Sequence, residues 1–137
     1  MVNLFTKKFQ DAIRALATLE EALNTDYTIF VRDSAIQRFE YTTEAFRKCL
    51  QMYLKEIEGI VVSSPKSAIR EVKKNGIIND VETETALEMI DDRNLTAHTY
   101  HEEIAQKLFK NLPEYSKLMK NILERVKNIG NVGLKIL

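Results

Sequence analysis

Two histidines, His98 and His101, lie three residues apart among Asp91, Asp92, Arg93, Asn94, Tyr100, Glu102 and Glu103. Positions three apart share a helix face, so the pair has the spacing to hold one metal ion. The residues between them, Thr99 and Tyr100, are poor ligands. The sequence has no further histidine to complete the Glu-x-x-His pairs of a di-iron bundle. One cysteine, Cys49, cannot furnish a thiolate zinc site. No metal and no cofactor is expected. The denser constellation is Arg93, Asn94, His98 and Tyr100. Arginine presents a rigid guanidinium fork that matches phosphate. Histidine both donates and accepts protons near neutrality. Tyrosine adds a hydroxyl and a stacking ring, and asparagine can orient a neighbour. Together they have the parts to cleave RNA without a metal. His98 would handle the 2′-OH or leaving-group proton, and Arg93 would steady charge on the phosphate. His101 is the less favoured proton carrier. An unreactive reading fits the same residues: Arg93 and Asn94 end an acidic helix, Arg93 pairs with Asp91 or an acid of a neighbouring helix, and His98 caps a loop. On spacing alone the unreactive reading carries more weight.

These residues need a scaffold, and the periodicity predicts a helical one. Phe5, Phe9, Ile13, Leu16, Leu19 and Leu23 are spaced by three and four, which predicts an amphipathic helix from about Asn3 to Asn24. Ile36, Phe39, Thr43, Phe46, Leu50, Tyr53 and Ile57 form a second stripe on a helix of about 25 residues. Asp33 or Ser34 can cap it, with an earlier turn open over residues 27–32. Gly59 stands where a C′ glycine belongs. Ser64-Pro65 pairs a capping hydroxyl with a first-turn proline and predicts a short helix to about Lys74, stopped by Asn75-Gly76. Asp80 or Thr83 opens a fourth helix with Val81, Leu87, Met89 and Ile90 as apolar members. The last runs from about His101 to Asn128, kinked or split by Pro113. Gly130 and Gly133 predict a loose tail. The fold expected is all-α: one domain over residues 1–137, an antiparallel up-and-down four-helix bundle with an extra short helix.

Composition narrows the class. Hydrophobic residues make up 45% and charged residues 29% of the chain, which fits a soluble domain. Four glycines and two prolines are too few for the turns of a small all-β domain. No segment resembles a signal peptide or a membrane span, and a single cysteine fits a reducing cytoplasm. Neither export nor a membrane partner is expected. Gly-rich phosphate loops, a Gly-x-Ser-x-Gly elbow and a nearby cysteine–histidine pair are all absent. Twenty bases balance twenty acids, which argues against broad coating of nucleic acid. The balance is uneven along the chain. Residues 80–92 hold six acids and no base, and residues 107–137 hold seven bases against two acids. Two solvated faces that attract each other within the bundle account for this.

The stretch Arg93-Asn94-Leu95-Thr96-Ala97-His98-Thr99-Tyr100 resembles the signature of HEPN-domain proteins: arginine, four residues, histidine, one residue, tyrosine. Ile36-Gln37-Arg38-Phe39-Glu40-Tyr41, Ser64-Pro65-Lys66 and Glu88-Met89-Ile90-Asp91-Asp92-Arg93-Asn94 resemble the nucleotidyltransferase substrate-binding branch of that family. The likeness spans nearly the whole chain. One departure is Thr85-Ala86-Leu87, where that branch often carries a tryptophan. The resemblance implies a homodimer partnered by a separately encoded minimal nucleotidyltransferase, with cytoplasmic RNA as substrate. It implies a toxin whose Arg93 and His98 from two chains form one metal-independent ribonuclease cleft, with Asn94 and Tyr100 shaping it. It also implies an antitoxin partner that transfers AMP to Tyr100. The alternative it carries is a non-catalytic subunit that holds the acceptor for the nucleotidyltransferase.

Overall fold

A computed structural model describes residues 4–134, with side chains through residue 130. The expected helix start at Asn3 and the tail base Lys135 lie outside the described residues. The described residues form five α-helices: α1 (Leu4–Leu23), α2 (Ile29–Tyr53), α3 (Pro65–Lys74), α4 (Asp80–Asn94) and α5 (Glu102–Leu134). The long helices α1, α2, α4 and α5 alternate in direction, and α3 packs between α2 and α4. The contacts fix this arrangement. Thr42 donates to the Ala15 carbonyl and Arg38 to that of Thr18, so α1 and α2 run antiparallel. Asp92 meets Tyr115 while Glu82 meets Arg125, so α4 and α5 do the same. The all-α bundle with its extra short helix is therefore the fold observed.

The apolar stripes supply the core. Phe5, Leu16 and Leu19 of α1 are buried against Phe39, Phe46, Leu50 and Tyr53 of α2 and Leu108, Leu112, Tyr115 and Ile122 of α5. Burying each such side chain contributes about 1.5–3 kcal/mol relative to exposure. Ile13 and Val81, expected on the apolar faces, are exposed instead. Ala12 and Ala86 are buried where the helices pack, and small residues there allow close approach of the backbones.

The helix ends follow local chemistry. Ser64 and Ser67 form a reciprocal capping box with Pro65 at the first turn. Asn79 and Glu82 form another, which puts the cap of α4 at Asn79 and its first helical residue at the expected Asp80. Asn75-Gly76 closes α3, with Gly76 at φ 76°. The α2 cap differs from expectation: Thr28, rather than Asp33 or Ser34, accepts the Val31 amide at 3.0 Å. The helix starts early because Arg32 is buried and pairs with Glu102 at the head of α5. At its far end α2 widens into a π turn over Leu54–Glu58, closed by left-handed Gly59 at φ 72°. Glu56 of that turn accepts the Phe5 amide in the first turn of α1 at 3.2 Å.

Two expectations for α5 are corrected. Pro113 does not split it: the proline lies inside one continuous helix, on its exposed side. Gly130 and Gly133 belong to that helix, not to a loose tail. A Cβ at Gly130 would stand 2.6 Å from the Phe5 ring, so the glycine is used for close approach. Among the described residues no helix is long and apolar enough to cross a membrane.

Candidate functional site

The motif straddles the junction from α4 to α5. Arg93 and Asn94 close α4, a 3₁₀ turn over Leu95–His98 follows, and α5 begins at Glu102. Its upstream end is fixed from beneath. Asp92 is 3% exposed, and its carboxylate accepts the Tyr115 hydroxyl at 2.6 Å and the Asn111 amide at 3.3 Å. Burial, reinforced by the Asp92 carboxylate, pushes the Tyr115 phenol well above its usual range. The Thr96 hydroxyl lies 2.7 Å from Glu40 of α2 and 2.8 Å from the Arg93 carbonyl and shares its one proton between them, which ties the turn to both helices. Downstream, the pairing of Arg32 with Glu102 pins the start of α5 and lowers the Glu102 carboxyl.

Arg93 is largely covered. Its buried Nε lies 3.7 Å from Glu44 of α2, an ion-pair distance rather than a hydrogen bond, and donates to no acceptor among the described residues. Glu44 also holds Arg47 at 3.1 Å, so one carboxylate faces two guanidinium groups. These three residues and Asn94 edge a crevice of about 40 Å³ floored by Phe46, Leu50, Ile69 and Ile90. That volume suits a few waters. Asn94 is exposed at its rim.

His98, Tyr100 and His101 are all exposed, Tyr100 at 76%. His98 Nδ1 is 3.4 Å from the Tyr100 hydroxyl, and the Tyr100 and His101 ring centres are 4.4 Å apart. Within one chain the motif therefore splits into two pairs, Arg93 with Glu44 and His98 with Tyr100. Among the described residues no hydrogen bond links Arg93 to His98. Among the described residues no group of three or more His, Cys, Asp or Glu side chains is placed to hold a metal ion.

Of the two fates open to Arg93 in an unreactive chain, pairing with a neighbouring helix is the one seen, through Glu44. Asp91 pairs with Lys66 instead, at 2.7 Å. Of the bases in the C-terminal segment, Arg125 reaches the acidic helix, meeting Glu82 at 2.8 Å and lowering its carboxyl. Sequence reasoning passed over Glu40, Glu44, Asp92 and Tyr115 as supports of the motif. The one available signal was Glu40 and Glu44, four apart and so on one face of α2.

The model of the family described as nucleotidyltransferase substrate binding protein like matches residues 7–128. The chain belongs to that family. A crystal structure from Thermus thermophilus is 51% identical, with a TM-score of 0.81 over 84% of this chain and 98% of that one. Two further similar structures belong to toxin–antitoxin complexes. One is a tri-AMPylated HEPN toxin from Shewanella oneidensis with its MNT antitoxin (14% identity, TM-score 0.74, 93% of this chain and 99% of that one). The other is a toxin–antitoxin with AMP-PNP (12% identity, TM-score 0.73, 92% and 99%). At these identities they show that the chain shares their fold. The comparison with curated proteins yields no match.

Proposed function

We propose that this chain is the HEPN-type toxin of a two-protein system, silenced by a minimal nucleotidyltransferase, and that its activity is metal-independent RNA cleavage. The observation that carries this reading is the setting of His98. A structural histidine would cap a turn or pack inward, yet the His98 side chain is exposed, with its Nδ1 3.4 Å from the Tyr100 hydroxyl. His98 acts as the acid/base on the 2′-OH or the leaving oxygen. Arg93 stabilises the phosphate through its guanidinium charge. Asn94 and Tyr100 shape the cleft. Within one chain Arg93 and His98 belong to separate pairs, and the reading uses two copies of this single-domain chain with their motifs facing each other. Tyr100 is the residue that accepts AMP. A bulky anionic adduct there would occupy the cleft and neutralise its cationic groups.

The test is expression without the partner, wild type beside His98→Ala, following growth and RNA integrity with chelator present. Arrested growth and cut RNA in wild type alone are expected; two equally harmless proteins that leave RNA intact overturn the nuclease. The family's own description favours a second reading, a non-catalytic subunit that holds substrate for the nucleotidyltransferase. A stable complex with the nucleotidyltransferase encoded beside it, without RNA cutting by the free chain, would select that reading.

A further inference from the structure

The five tyrosine hydroxyls have different neighbours. Tyr53 and Tyr115 are buried and donate to carboxylates, Glu58 at 2.7 Å and Asp92 at 2.6 Å. Burial and then the adjacent negative charge push both phenols up, which opposes their use as nucleophiles. Tyr41 is hydrogen-bonded to Thr18 across the α1–α2 seam. Tyr27 lays its ring on Phe109. Tyr100 is the one that faces an imidazole, with its hydroxyl 3.4 Å from His98 Nδ1. It is also the most exposed of the five, and His101 lies against its ring. The 3.4 Å contact is looser than a formed O–H···N bond, as catalytic hydrogen bonds often are before the reactant arrives.

Resting on the reading above, in which the partner adenylylates Tyr100, we infer that His98 of the same chain is the general base for that transfer. It uses the tautomer with its proton on Nε2. Nδ1 takes the hydroxyl proton as Tyr100 Oη attacks the α-phosphorus of ATP held by the nucleotidyltransferase. The Oη–Pα bond forms, the bond from Pα to the α,β-bridging oxygen breaks, and pyrophosphate leaves with that electron pair. The imidazolium then returns its proton to solvent. One imidazole thus serves both RNA cleavage and its own silencing. A copy that has lost His98 is harmless and also a poor acceptor, so the partner consumes ATP on competent copies.

The experiment follows intact mass over time for the full chain mixed with its neighbouring nucleotidyltransferase, ATP and magnesium. Circular dichroism first establishes that His98→Ala is folded. Wild type should gain adenylyl groups, and Tyr100→Phe should not. His98→Ala should be about 100-fold slower, and free imidazole should restore part of its rate, which a merely structural role would not allow. Equal rates in wild type and His98→Ala overturn the inference and leave the partner reading intact. A slow His98→Ala that imidazole does not restore also overturns it, assigning His98 to docking. A wild type that is never modified, or is modified in Tyr100→Phe, removes the partner reading and the inference together.

Discussion

Asp92 and Tyr100 are eight positions apart on one short stretch, and one is 3% exposed while the other is 76% exposed. The first end of the stretch is built like a core, with a carboxylate held by Tyr115 and Asn111. The second is built like a surface, with His98, Tyr100 and His101 touching chiefly one another. A rigid base under exposed reactive groups is how a cleft keeps its geometry without sacrificing access. It also separates two effects that usually travel together: substitutions at the buried end should cost stability, and those at the open end should cost chemistry.

The sharpest way to break that contrast is His98→Ala in an RNA-cleavage assay. Activity should fall about 100-fold or more, the usual weight of an acid/base group. Tyr115→Phe tests the other end. It strips a buried carboxylate of its shorter hydrogen bond and should lower unfolding stability by about 2–3 kcal/mol in urea titration. If Tyr115→Phe is neutral, the buried end is not an anchor. Gly130→Ala comes next, since the new methyl must displace the packed Phe5 ring. Overpacking of about 2 kcal/mol against a helix gain of about 1 kcal/mol leaves a net loss near 1 kcal/mol. A stabilised variant would show that α1 and α5 can separate at no cost. Acid should produce a smaller effect. Arg125 and Arg32 hold Glu82 and Glu102 below the usual carboxylate value. Their lowered values mean a contribution present at neutral pH and lost as pH falls through and below the ordinary carboxylate range. Glu82→Gln should therefore flatten the acid side of the melting-temperature profile. The smallest shift belongs to the open end: the unfolding free energy of His98→Ala and Tyr100→Phe should stay within about 0.5 kcal/mol of wild type. A larger loss would mean that the exposed turn is structural after all.

Where local chemistry decides, the sequence was readable. Ser64-Pro65 and Asn75-Gly76 bound α3 as their types demand, and the stripe from Ile36 to Tyr53 is buried as its period requires. What escaped was set by partners distant along the chain. The sequence leaves the early turn of α2 open but does not single out Thr28 as its cap, because burial of Arg32 against Glu102 is what selects it. Gly130 reads as a helix stop, yet Phe5 needs the space its missing side chain leaves. The motif itself was legible as a spacing. Its division into an Arg93–Glu44 pair and a His98–Tyr100 pair was not, because the first depends on how α2 lies against the α4–α5 junction and the second on how the junction itself turns.

Cys49 lies fully buried on α2, and burial pushes its thiol up to about 12. Such a thiol stays protonated and shielded, so alkylating reagents have to wait for the bundle to open. The native chain thus carries a built-in clock. Under conditions where reclosing outruns labelling, the rate at which Cys49 is alkylated measures the free energy of opening α2 from its neighbours, residue-specifically and without a dye or a mutation.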